Sequence, residues 1–475
     1  IAESQSAEIV LTETAEEVGL IADHSTNIFG YQGEHNLIGG LAVGDFNRDG
    51  WADVFWLSGG IGPDRLFINN GDGTFTDKAD QWGVDITHPG GGVSVGDYTN
   101  DGWLDVYITS WGNDSDPYPG AHRLYQNING QAFWDIAEPA GVDYTAAGEA
   151  GGYGSAWGDY DLDGRLDLCA VSWRNGITVD PNGHVLFRNN GNGTFENVTD
   201  EAIGDALVGA SSFQPAFVDM DGDRDQDLLI AGDFGSSQYL RNENNGTFTN
   251  ITVESGTGLD ENGMGHAIAD FDGDGMLDWY VTSIYYDEPP NENYDPGNML
   301  YLATGPNQFI EHAEQCGASD GGWGWGTCAV DLDQDGHIDL VEVNGMPIQD
   351  EWNNERGYVF RNLGDGTFDE IGDVVGFDDP TQGRAVAKLD ADRDGDMDLL
   401  VCSNNDRLYY YRNDTIDAGK WIQVKLNTAD SDTLAPDGFG AVVFVTTDDH
   451  QQMRPMNGHP SYLATSELVV HFGLG

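Results

Sequence analysis

Lysine is the scarcest charged residue in this 475-residue chain: Lys78, Lys388, Lys420 and Lys425 stand against fifteen arginines and 82 acidic residues, for a formal net charge of -63. A surface this acidic repels the phosphates of nucleic acids and anionic lipid headgroups, so neither is expected as a partner. The lysine depletion suits a saline habitat. No run approaches the ~18 consecutive apolar residues that would cross a bilayer. Cysteine is scarce as well: Cys169 and Cys402 fall at matching places in apolar runs and read as small core residues, while Cys316 and Cys328 lie close enough in sequence to pair. The chain opens at Ile1 without a methionine or an apolar leader, consistent with a processed protein. Aromatics are plentiful, with 13 Trp, 19 Tyr and 20 Phe in a chain that is 39% apolar. That supply can fill a core, so the charge does not signal disorder.

Much of the acid is organised. Asp331-Leu332-Asp333-Gln334-Asp335-Gly336-His337-Ile338-Asp339 has carboxylates at its first, third, fifth and ninth positions and Gly at the sixth. This is the oxygen spacing of a calcium loop, with the seventh residue offering its backbone carbonyl. The phrase occurs seven times, with starts 52, 62, 60, 51, 61 and 59 residues apart. The candidate ligand sets are Asp45, Asn47, Asp49, Trp51 and Asp53; Asp97, Thr99, Asp101, Trp103 and Asp105; Asp159, Asp161, Asp163, Arg165 and Asp167; Asp219, Asp221, Asp223, Asp225 and Asp227; Asp270, Asp272, Asp274, Met276 and Asp278; Asp331, Asp333, Asp335, His337 and Asp339; and Asp390, Asp392, Asp394, Asp396 and Asp398. Asn47 and Thr99 each remove a charge from their loops, and Arg224 stands where the fourth loop needs Gly, so that site is expected to be distorted or weakest. Up to seven structural Ca2+ ions follow, one per repeat; a closed oxygen cage repeated seven times serves architecture better than catalysis.

Repeats of this length with strand-like patterning imply one four-stranded blade each, hence an all-β, seven-bladed propeller. In every unit a Gly- and Ala-rich strand enters the loop and an apolar strand leaves it. A third strand then ends in an Asn/Asp-Gly turn, as in Arg65 to Phe75, and Thr-Phe opens the outer strand. Three residues before each loop stand Ala42, Ser94, Ala156, Ala216, Ala267, Cys328 and Ala387, all small, as tightly apposed inner strands require. Leu11 to Leu20 repeats the outer-strand phrase of Phe75 to Val84, yet precedes the first blade, and the last blade lacks that phrase. Residues 8–20 should therefore complete the last blade and close the ring. The propeller is expected over residues 1–415 and a small, separate β module over 416–475.

The loops resemble the calcium-binding propeller repeats of the FG-GAP and VCBS families. The tail, Gly438-Phe439-Gly440-Ala441-Val442 followed by Val470-His471-Phe472-Gly473-Leu474-Gly475, resembles the ASPIC/UnbV module of cartilage acidic protein relatives. Two departures stand out: Ala464-Thr465 where the family has Ser-Gln, and an end at Gly475 where relatives continue, which implies a truncated module. The resemblance implies a fold that hosts both adhesion proteins and enzymes.

With calcium pinning one end of the ring, function is expected at the other, where loops vary in length. Trp111, Trp173, Arg174, Tyr285, Tyr286, Trp323, Trp325 and Trp352 are candidate ligand contacts there, or walls of the blade junctions. His35, His88, His266 and Arg384, with Gln214, are expected around the axial mouth, where three histidines would bind a transition metal, although they lie at unequal distances from their loops. No nucleophile elbow, phosphate loop or Cys-x-x-Cys pair is present. Two readings follow: a secreted, periplasmic or cell-surface module that binds glycan or an extracellular protein, and an enzyme, polysaccharide-active or transition-metal-dependent, working at the same mouth.

Overall fold

A computed structural model of the chain describes residues 7–24, 37–111, 121–144, 151–173, 183–286, 295–347, 352–353, 355–377, 381–429, 431, 433–447 and 451–475. Seven antiparallel sheets are arranged as blades of a propeller. Blade one comprises Leu41–Gly44, Asp53–Trp56, Arg65–Asn69 and Phe75–Asp77, innermost to outermost, and the next five repeat this order. Blade seven takes Gly383–Leu389, Asp398–Ser403 and Leu408–Asn413 from the end of the series and its outer strand, Leu11–Glu13, from the amino terminus. Leu11 pairs with Asn413 and Glu13 with Tyr411, and an Arg407–Glu13 ion pair of 2.9 Å holds the joint. Ring closure by the amino-terminal strand is as the repeated phrase predicts.

The inner strands are small-residued because they crowd the axis. A Cβ on Gly92 would lie 2.5 Å from the Tyr153 carbonyl oxygen of the neighbouring inner strand, so only glycine fits. Their alternation splits the core into seven wedges between blades. Ala42 faces Phe55, Val93 and Val95 at the junction of blades one and two, while Val43 faces Ala387 and Leu389 at the junction of blades one and seven. The outer strands are shorter than the repeated phrase suggests. Three residues such as Phe75–Asp77 give way to a one-turn helix, Ala79–Trp82, which ends at Gly83 in the left-handed region (φ 79°). The turn returns Trp82 and Val84 to the core, which a continued strand would leave outside.

The carboxy-terminal β module is tied closely to the ring. It packs on the acidic-loop face and sends the hairpin Pro460–Ser461 and Ala464–Thr465 down the axis, where Leu41 and Ala42 of blade one pair in parallel with Ala464 and Thr465. Around the ring, Val93 N–H donates to Leu463 O (3.3 Å), Leu463 N–H to Gln214 Oε1 (3.0 Å) and Thr327 N–H to Ser461 Oγ (3.1 Å). The hairpin thus engages blades one, two, four and six directly. All four cysteines are free, buried thiols, so Cys316 and Cys328 are not bridged.

Candidate metal centres and binding face

Each acidic loop is a turn held by its own carboxylates. Asp45 Oδ2 accepts from Gly50 N–H (3.0 Å), and the same first-to-sixth bond recurs at Asp97, Asp159, Asp270 and Asp331. The sixth residue sits in the left-handed region, φ 89° at Gly50 and 96° at Gly336. Loop four keeps the turn: Arg224 adopts φ 83° and its N–H reaches Asp219 Oδ2 at 3.0 Å, so the expected distortion takes the form of backbone strain at a non-glycine residue.

The ninth-position aspartate is a staple. Asp53 Oδ1 accepts from Asn69 N–H (2.9 Å) and Oδ2 from Phe46 N–H (3.0 Å), and the pattern repeats at Asp167, Asp227, Asp278, Asp339 and Asp398. The Asn69 side chain goes on to the Ala391 carbonyl of the preceding loop (2.9 Å); Asn127, Asn189, Asn242, Asn362 and Asn413 do likewise, each to a neighbouring blade. Sequence reasoning passed over these asparagines as turn residues, although their fixed offset at the end of the third strand was a usable signal. In blade five Ala303 takes the place, and Asn307 Nδ2–H donates instead to Asp221 Oδ2 of loop four (2.6 Å).

The donor set fits a hard divalent cation. One oxygen from each member of five trios lies within 4.8 Å of the others: Asp159, Asp161 and Asp167; Asp219, Asp221 and Asp223; Asp270, Asp272 and Asp278; Asp331, Asp333 and Asp339; Asp390, Asp392 and Asp394. Among the described residues, the loops containing Asn47 and Thr99 form no such trio. Buried oxygens remain without hydrogen-bond partners at Asp45, Asp270, Asp331 and Asp390 in first positions and at Asp161 and Asp333 in third positions. Buried carboxylate oxygens are costly to leave unpaired, and a cation ligated by oxygen satisfies them. Without one, burial pushes the Asp53 and Asp227 carboxyls up to about 8 and Asp331 to about 7, and like-charged neighbours in each loop add to the rise.

The opposite face differs from expectation at its centre. Tyr462 and Leu463, at the tip of the axial hairpin, fill the space beneath it; Tyr462 packs against Phe213 and Trp325 with ring centres 5.3 and 5.2 Å away, and its hydroxyl donates to Leu37 O (2.5 Å). Arg384 is fully buried, its guanidinium 4.4 Å above the Trp325 ring and donating to Gly345 O (2.9 Å). Gln214 is consumed by the hairpin. His88 pairs with Asp64 (2.9 Å) between blades one and two, whereas His266 accepts from Trp279 Nε1–H (3.3 Å) in blade five. The structure does not bring these two histidines together, because each belongs to its own blade junction; His35 and Arg174 lie outside the described residues. Of the aromatic candidates, Trp111, Trp173 and Trp325 are core walls, Trp173 stacking on Phe213 at 5.6 Å. Tyr285, Tyr286 and Trp323 are half-buried at the edge of blades five and six, with Trp352 behind them, 4.8 Å from Trp323 and 6.0 Å from Tyr286.

The repeats and tail match known families. A profile described as FG-GAP-like repeat matches residues 45–108, 176–230, 219–281 and 351–401, and one described as ASPIC and UnbV matches 432–475. The chain is a seven-bladed FG-GAP-like propeller with an ASPIC/UnbV segment. This propeller is 28% identical over 283 residues to cartilage acidic protein 1 of Xenopus tropicalis, a match covering 58% of the chain and 31% of the frog protein. Against the Homo sapiens protein of that name it is 38% identical over 104 residues, covering 21% of the chain and 14% of the relative. The matched stretches thus span a third or less of those longer proteins. Among solved structures, rhamnogalacturonan lyase YesW is similar at 13% identity and a TM-score of 0.43, covering 86% of this chain and 76% of that one. The V. cholerae biofilm matrix protein Bap1 is similar at 11% identity and a TM-score of 0.38, covering 97% and 99%.

Proposed function

We propose that this FG-GAP-like propeller is an extracellular binding module whose frame is set by calcium in its acidic loops and which takes a glycan or a protein on the opposite face. The observation that carries this reading is the aromatic group Tyr285, Tyr286, Trp323 and Trp352. Three of its rings are half-buried, and the fourth, Trp352, packs against two of them, Tyr286 and Trp323. Rigid aromatic faces give large contact area at little entropic cost, which suits sugar rings and protein side chains alike. Calcium would be held by the trios around Asp159, Asp219, Asp270, Asp331 and Asp390, where it supplies cross-links between loop segments. An external location agrees with the similarity to a protein named for cartilage; among the described residues no helix is long and apolar enough to cross a membrane.

Enzymatic use of the axial mouth is not favoured, since Tyr462, Leu463 and Arg384 fill it. The test is binding of immobilised acidic, neutral and sulfated glycans and of extracellular matrix proteins to calcium-loaded protein. Trp323→Ala is expected to weaken the bound class by about tenfold or more while leaving the melting temperature within a few degrees. Unchanged binding in that variant would move the site elsewhere.

A further inference from the structure

In a molecule this acidic, one place gathers positive charge. Where the carboxy-terminal segment meets the inner strands of blades five to seven, a cavity of about 40 Å³ is lined by Lys388, Arg454, His459 and His471, with Cys328 and Ser466 in its wall and Asp331 as the one carboxylate among the described lining residues. One of the chain's four lysines is thus spent on the axis.

Among the described residues neither Lys388 nor Arg454 forms a direct ion pair; Asp331 acts on both, and Asp270 on Arg454, from farther off. The Lys388 ammonium donates to Ala329 O (2.6 Å), which accounts for one of its three N–H bonds. Arg454 is 7% exposed; its Nη atoms donate to Met453 O, Gln452 Oε1 and Gly336 O, while its buried Nε–H has no acceptor. His459 and His471 are anchored through Nε2 to Val469 O (3.2 Å) and Gly395 O (3.0 Å), so neither supplies negative charge. Asp331 gives one oxygen to Gly336 N–H and Gly473 N–H (3.0 Å each), and it belongs to the trio with Asp333 and Asp339. A divalent cation in that trio would use its charge and leave the cavity more positive still.

We propose that this cavity is a built site for a small monovalent anion of about chloride size, held between Lys388 and Arg454. A water needs about 10–15 Å³ of such space, so the volume accepts one halide with a water or two and excludes oxyanions with organic tails. Water alone would satisfy the N–H groups but would leave two buried like charges facing one another with only the more distant Asp331 and Asp270 to offset them. The anion would lock the tail segment, which carries Arg454, His459 and His471, to the blade that carries Lys388.

The test uses the full chain with saturating calcium at constant ionic strength, with sodium chloride or bromide replaced stepwise by sodium gluconate. Halide is expected to raise the melting temperature saturably, by roughly 2 °C or more at a hundredfold excess over its Kd, and Lys388→Met should abolish the difference. Bromide-soaked crystals of the unaltered protein should show an anomalous peak between Lys388 Nζ and the Arg454 guanidinium, a readout independent of whether the variant folds. Equal melting in gluconate and halide, a halide effect that survives Lys388→Met, or water alone in the cavity at saturating bromide would each overturn the proposal.

Discussion

On the acidic-loop face Asp recurs at the first, fifth and ninth loop positions in every blade, and most of the first and ninth carboxylates are tied to equivalent backbone N–H groups. On the opposite face the residue ahead of the third strand is Asp64, His122, His184, Ser237, Asn298, Gly357 or Arg407. Several of these do one job with different chemistry: Ser58 N–H donates to Asp64 Oδ1 (3.0 Å), Ser172 N–H to His184 Nδ1 (3.2 Å), Gly232 N–H to Ser237 Oγ (2.9 Å) and Ser283 N–H to Asn298 Oδ1 (2.8 Å). Any acceptor of the right reach closes that loop, so this face constrains shape alone. The acidic face constrains chemistry, because only oxygen clusters with spare negative charge hold a hard cation.

The sharpest way to break this contrast is to remove calcium. Chelation is expected to lower the melting temperature by about 10 °C or more, since several sites contribute together; calorimetry showing no change would end the calcium reading. Acidity should modulate the metal-free protein in a set direction. Asp53 and Asp227 keep their protons up to about 8 in the fold, and Asp97 and Asp331 to about 6 and 7, whereas the unfolded chain loses them near about 4. The fold therefore binds more protons between those values, so metal-free stability falls as pH rises from 4 to 8, while the stabilisation given by calcium grows over the same window. Denaturant titrations with and without calcium at pH 5 and 8 check both slopes.

Next in size is the hairpin tip. Tyr462→Ala should cost about 3–5 kcal/mol, the range for emptying a buried aromatic site, and a loss below about 1 kcal/mol would mean that the axis tolerates an open centre. Asn189→Ala, which strands the Tyr98 carbonyl in the neighbouring loop, should cost about 1–3 kcal/mol in urea titration. Smallest and opposite in sign, Arg224→Gly relieves a left-handed arginine and should stabilise by about 1 kcal/mol.

The ring was legible because its signals are local and repeated: nine-residue loops, small residues three places earlier, and an outer-strand phrase displaced to residues 11–20. The fourth loop position was not. Arg48, Leu162, Gln334 and Arg393 all take positive φ there, and loop four meets the same need with Gly222 while placing Arg224 at position six. The axial hairpin was hidden for a different reason. Ala464 meets Leu41 across more than 400 residues through a two-residue strand, too short to carry an alternation. The histidines misled because burial in separate blade junctions favours imidazole as readily as a shared metal does: His88 closes on Asp64 and His266 on Trp279.

The hairpin also changes what it means to pull on this molecule. Ring and tail are joined covalently through residues 414–420, but Ala464 and Thr465 lie inside the hub, bonded to the inner strand of blade one and packed against those of blades two and seven. A cut in the joining stretch would therefore release nothing until the wheel itself opened, and a load applied to the tail would be borne by several blades at once, as an axle shares weight among spokes.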